Sequence, residues 1–281
     1  MHEDAHSDGE QRTTLAKSSK SSHVHSDASQ ADIGIVCALA IELQPFLDRC
    51  ERAKKYTGGN FVFRGGIYDG IRVAVVQAGV GYAKARAATQ AMIDAHRPAW
   101  VISAGFSGAL QPQMKIGDIV VGTSLVDTHG QELNIDMHMP ANPEQGLYVG
   151  RLLTADAIVR TVEEKRQLGE RFAALAVDLE SLAVAQVCQA DKIPCLAVRV
   201  ISDDMSADLP PEVMTVVAST GTRRLGAALG AIWNRPDSVK EMWHLRETAG
   251  QSATKLATFL DGIVIQLNRQ TEEKRKADAK S

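Results

Sequence analysis

Three groups of acidic residues stand where they could do acid–base chemistry together. Glu42 follows an apolar stretch, Ile33-Gly-Ile-Val-Cys-Ala-Leu39. Glu180 closes Val177-Asp-Leu-Glu180 at the start of an apolar-periodic helical run. Asp203 and Asp204 end Arg199-Val-Ile-Ser-Asp-Asp204, just past the apolar run of residues 195–201. Carboxylates in different surroundings titrate apart, so a cluster of them can supply acid, base and hydrogen-bond acceptor. In an open α/β sheet, the ends of strands and the starts of helices face one crevice. Acids from three distant segments could meet there.

The segments that would position them alternate in period. Residues 33–39, 71–76, 100–103, 119–126 and 195–201 are apolar runs of strand length. Residues 82–96 and 178–190 carry apolar side chains at helical spacing. Such alternation predicts an α/β sandwich with a mainly parallel or mixed sheet. Helices follow over residues 213–233 and 239–267, and Pro236 between them breaks or restarts the helix. Residues 1–31 are rich in Ser, Asp and Lys and read as a disordered polar tail. His2, His6, His23 and His25 belong to that tail and not to a metal patch. One domain is expected over residues 32–268, with residues 269–281 a charged, solvated tail continuing the last helix.

Composition excludes several classes. The 281 residues are 44% hydrophobic and 23% charged, enough for one sizeable core. A formal net charge of −3 gives no electrostatic reason to bind nucleic acid. Cys37, Cys50, Cys188 and Cys195 show no paired metal spacing, so reduced thiols and a cytoplasmic location are expected. The polar amino terminus lacks the apolar core of a secretory signal. No apolar run reaches the roughly 18 residues of a membrane span.

Six stretches, in order, carry a family resemblance. Residues 33–42, Gln77-Ala-Gly-Val-Gly81, Ser103-Ala-Gly-Phe-Ser-Gly-Ala-Leu110, Lys115-Ile-Gly-Asp-Ile-Val-Val121 and the two acidic motifs above resemble the purine nucleoside and uridine phosphorylase family. Within it the chain is most similar to the methylthioadenosine/S-adenosylhomocysteine nucleosidases. Val177-Asp-Leu-Glu180 is similar to that family's V-E-M-E motif, and Arg199-Val-Ile-Ser-Asp203 to its R-A-I-S-D motif. The resemblance implies a nucleoside phosphorylase-like fold, a three-layer α/β/α sandwich around a mixed central sheet. It also implies cleavage of the N-glycosidic bond of a 5′-substituted adenosine or related purine nucleoside. Asp203 would hydrogen-bond the purine and donate the proton at N7, Glu180 would hold the ribose hydroxyls, and Glu42 would deprotonate the attacking water. On spacing alone, Glu42 could instead favour a helix N-terminus, Glu180 a helix edge, and Asp178 a cap.

The same resemblance frames the rest of the site. Gly79, Gly105, Phe106, Ser107, Ile158, Val159 and Leu179 fall in segments that would contact the substrate. Ile158 stands where the family has an aromatic ring on the purine, and Leu179 where it has a methionine under the ribose. Phosphorylases of the family hold phosphate with arginines; this chain has Ser103 at one such position and no arginine between Cys37 and Glu42. Gly79–Gly81 and Gly105–Gly108 could cradle an anion with backbone N–H groups or serve as tight turns. Hydrolysis is therefore expected over phosphorolysis. His129, Asp136 and His138 read as a polar loop or a subunit contact, with no metal and no organic cofactor required. The stretch around residues 233–254 resembles an extension in a phosphorylase-like branch tied to hopanoid lipid biosynthesis. That leaves a phosphorylase of a lipid-linked adenosyl substrate, or a non-catalytic nucleoside binder, as alternatives. Family members assemble as dimers or larger, so a homo-oligomer is expected.

Overall fold

The computed structural model of the chain describes residues 30–211 and 236–279. At its centre lies β1 (Ile33–Cys37), buried throughout and paired in parallel with β4 (Ile71–Gln77) and β5 (Trp100–Ala109). A parallel strand covered on both faces needs apolar side chains on both. Ile33, Ile35, Val73 and Val75 face one layer, while Val36, Ala74 and Val76 face the other. The first layer is closed by α1 (Ala40–Leu47) and by a carboxy-terminal helix, through Leu43, Phe46, Leu256, Leu260 and Val264. The second is closed by α2 (Tyr82–His96) and a later helix, through Ala88, Met92, Val184 and Val187. These are the three layers that the family resemblance implies.

Past β5 the sheet curls into a closed ring. β5 pairs with the last strand, β10 (Cys195–Asp203), and β10 with β6 (Ile119–Asp127). β6 pairs with β8 (Leu147–Thr154), β8 with β9 (Ala176–Asp178), and β9 returns to β5. Closure removes free edges where the sheet is most curved. On the opposite side, β3 (Phe61–Tyr68) and β2 (Glu51–Gly58) extend the sheet antiparallel from β4. β2 is exposed along nearly its whole length, so it lacks the apolar alternation that would reveal it in the sequence. A short β7 (Glu132–Asn134) pairs with β6.

The helices show one correction. Asp178 does not begin a helix; it ends β9, because Ala176 and Val177 pair with β5 while residues 176–178 pair with β8. The helix α4 (Ser181–Ala190) starts after it, with Glu180 at its N-cap. Between β8 and β9 runs α3 (Val162–Phe172), started by a capping box in which Thr161 and Glu164 each accept the other's backbone N–H at 3.1 Å. The last helix, α5 (Pro236–Asp278), opens on Pro236, whose fixed φ and missing N–H suit a first helical turn. It takes in the helix expected over 239–267 and residues 269–278 of the charged tail. The polar tail up to residue 29, with its histidines, and the helix expected over 213–233 lie outside the described residues.

Candidate active site

Glu42 sits in the first turn of α1, directly after β1. Its Oε2 accepts the Leu39 amide at 2.7 Å and its Oε1 accepts the Phe106 amide of β5 at 2.9 Å. One oxygen thus closes the helix start while the other reaches across to the neighbouring strand. The close approach needs a glycine: a Cβ on Gly105 would stand 2.6 Å from Glu42 Oε1. Burial pushes the Glu42 carboxyl above the usual range, against the pull of those amides and of Arg199.

Glu180 comes from the β9–α4 turn. Gly81, just before α2, donates its N–H to Glu180 Oε1 at 2.7 Å. Burial, and then the Asp178 charge, push Glu180 up to about 7, although Arg199 and the Gly81 amide oppose them. Asp203 ends β10, where the pairing with β5 shifts register between Ile201 and Asp203. Such an irregularity re-aims a side chain. Ser202 Oγ donates to Asp203 Oδ1 at 3.0 Å, and the Lys165 ammonium of α3 lies 2.6 Å from Oδ2. Burial pushes Asp203 upward, against the pull of Lys165.

These three acids line one cavity of about 200 Å³. Phe106, Ser107, Ile158, Val159 and Leu179 line it too. Two expected contacts lie elsewhere. Gly105 sits beneath Glu42 and off the cavity wall. Gly79 borders a neighbouring groove with Asn60, Phe61 and Lys84, because its φ of +82° turns the chain so that Val80 enters the cavity instead. In these two glycine loops, the amides of Gly81 and Phe106 already serve Glu180 and Glu42 and are not available to an anion. Among the described residues, no arginine or lysine lines the cavity.

Sequence reasoning missed what lies underneath. Arg199 is buried and donates through Nε to Asp178 Oδ2 at 2.7 Å and through an Nη to Ser103 Oγ at 2.9 Å. The other Asp178 oxygen accepts from Thr154 Oγ1 at 2.9 Å and from the amides of Glu180 and Ser181 at 3.1 Å. Burial would raise Asp178, but Arg199 and these donors hold it below the usual carboxylate range. Asp178 therefore caps α4, as its spacing allows, and also fixes the turn that carries Glu180. Lys165 and Leu209 were missed as well. The signal for Lys165 was its place on the apolar stripe of α3, in step with Leu168 and Phe172. For Leu209, which reaches the cavity from a loop, the sequence gives no signal. On the outer loop, His129 faces Asp156 at 3.3 Å and His138 faces Asp136 at 3.9 Å, both exposed; among the described residues no three potential metal ligands gather.

The mixed sheet closes into a ring, and acids from α1, the β9–α4 turn and β10 converge beside it. The phosphorylase superfamily matches residues 32–146 and 139–229, and the chain belongs to it. A 5′-methylthioadenosine/S-adenosylhomocysteine nucleosidase of Bacillus subtilis is 26% identical over 196 residues, 61% of this chain and 85% of that protein. The solved nucleosidase of that name from Helicobacter pylori superposes with a TM-score of 0.62 at 24% identity, covering 84% of this chain and 99% of the other. Futalosine hydrolase of Helicobacter pylori gives 0.60 at 22% identity, covering 85% and 98%. Among the described residues no helix is long and apolar enough to cross a membrane.

Proposed function

We propose that this chain hydrolyses the N-glycosidic bond of a 5′-substituted adenosine or related purine nucleoside and releases the base. The observation that carries this reading is the cavity wall: Glu42, Glu180 and Asp203, with Asp178 beside them, on a largely apolar surface, and no basic side chain among its described residues. Glycosidic cleavage gives the sugar oxocarbenium character and sends electrons into the departing purine. Asp203, pushed upward by burial, donates a proton to the base. Glu180 accepts from the ribose hydroxyls. Glu42, held by two amides, orients water and takes its proton. Among the described residues of the wall, phosphate would meet four carboxylates and no guanidinium, which favours water as the nucleophile. Ala157, Ile158, Val159 and Leu209 offer the neutral base an apolar wall in place of an aromatic ring.

The relatives' names support a 5′-thio-substituted adenosine, and futalosine hydrolase keeps other nucleosides open. We further propose a homo-oligomer, a dimer or larger, on the family resemblance, and a cytoplasmic location on the four free thiols. The deciding experiment measures free base released from a panel of 5′-substituted adenosines and futalosine, with and without inorganic phosphate. Phosphate-independent release is expected. Release only with phosphate, yielding a ribose 1-phosphate, would make the chain a phosphorylase; binding without turnover would make it a receptor for nucleosides.

A further inference from the structure

One buried charge has no part in the chemistry described so far. The Lys165 side chain is fully buried, on a stripe of α3 that Leu168, Gly169 and Phe172 otherwise make apolar. Burying an ammonium is unfavourable unless it is paired, and a leucine or methionine would complete the stripe without that penalty. Lys165 Nζ lies 2.6 Å from Asp203 Oδ2 and donates to the Asp204 carbonyl at 2.8 Å. With Ser202 Oγ on Oδ1, both oxygens of Asp203 are held from behind, and the carboxyl faces the cavity.

We propose that Lys165 is the positioning residue of Asp203, aiming its carboxyl at the base and stabilising the negative charge left there when the proton departs. This inference rests on Asp203 being the acid. In the step, the O–H bond of Asp203 breaks, an N–H bond forms on the purine, and the O–H electron pair stays on the carboxylate. The glycosidic electron pair passes into the purine ring, and Lys165 keeps its protons throughout. Before the step the pair is an ammonium beside a neutral acid; after it, a full ion pair. The attraction is therefore greatest once charge has developed, which lowers the barrier and not merely the energy of the bound substrate. Among the described residues, the other charged groups beside this carboxyl or on the same cavity wall are Asp204 next to it in the chain, Glu42 of α1, and Asp178 and Glu180 of the β9–α4 turn. Among the described residues, Lys165 is the cation in contact with it.

The test compares Lys165→Met, Lys165→Arg and Asp203→Asn in the full-length protein, following adenine release from 5′-methylthioadenosine across the pH range. Lys165→Met should lower kcat by roughly 10- to 100-fold with little change in KM. Because the acid works only while protonated, activity falls as pH rises through its pKa. Removing the neighbouring cation should therefore move that alkaline limb up by about 1 to 3 pH units. Lys165→Arg should leave the limb near its original place. A folded Lys165→Met whose limb does not move overturns the inference, because a purely structural lysine changes yield and stability without moving it. If Lys165→Met does not fold, Gly108→Ala replaces it. Its added Cβ would stand 2.9 Å from Asp203 Oδ2 and 3.5 Å from Lys165 Cε, pressing the pair apart with the lysine retained. An upward limb shift supports the inference and an unmoved limb ends it. Full turnover by Asp203→Asn would overturn the assignment of the acid itself, whereas an inactive Asp203→Asn beside an unmoved Lys165→Met limb removes only the role of Lys165.

Discussion

The two ends of the cavity hold their acids by different means. At one end Glu42 is gripped by the backbone amides of Leu39 and Phe106. At the other, Asp203 is held by an ammonium and a hydroxyl, from Lys165 and Ser202. Amide dipoles fix a carboxylate in place without a full counter-charge, so Glu42 keeps an oxygen suited to take a proton from water. An ammonium instead stabilises a carboxylate as it forms, which suits a group that gives its proton away. Burial pushes both upward, so the difference in role comes from the donors and not from depth.

Breaking either end should give the largest effects. Asp203→Asn should lower kcat by about 10²- to 10⁴-fold in an adenine-release assay, with folding intact by circular dichroism. Glu42→Gln should cost about 10²-fold or more. An amide side chain has one acceptor oxygen for two amide donors, so it loses the grip as well as the basicity. If Glu42→Gln keeps native turnover, the contrast between the two ends is wrong. Arg199→Met probes the layer beneath. It leaves Asp178 as a buried charge without its cation and should destabilise the fold by about 3 to 5 kcal/mol in urea titration.

A subtler effect comes from Glu180, which lines the same cavity. In the folded chain it keeps its proton up to about 7, whereas its ordinary value is 4.5. Between those values the native state binds more protons than the unfolded one, so this group's contribution to stability is full below 4.5 and is lost as pH rises through about 7. Substrate binding should move the opposite way, because an ionised Glu180 is the better acceptor for ribose hydroxyls. Glu180→Gln should flatten the melting temperature over that window; an unchanged slope would show that another group carries it. The smallest effect is expected from Ile158→Phe. Ring stacking on the base should tighten adenine binding by about 0.5 to 1.5 kcal/mol in calorimetry. No change would mean that this wall does not face the purine.

Much of this architecture is legible in the chain. Helix α2 spans Tyr82–His96, the residues whose periodicity marks it, and β1, β4 and β10 follow apolar runs that both layers of helices require. What escapes detection does so for physical reasons. β2 carries charged, exposed residues at the sheet edge, so no core imposes a pattern on it. Asp178 looks like a helix cap because its hydrogen bonds to α4 are local; its bond to Arg199 is not.

The sequence by itself determines that this is an α/β chain of the phosphorylase superfamily and which acids its motifs carry, because periodicity, turn residues and motif order are local properties. Only the tertiary structure decides how those acids are held. The Leu39 grip on Glu42 spans three residues, but its Phe106 partner lies 64 residues away, and Lys165 meets Asp203 from a different helix. The ring of strands brings these segments within hydrogen-bonding distance. Electrostatic and hydrogen-bonding terms depend steeply on such distances and on exclusion of water, so the character of each acid is set by the folded neighbourhood.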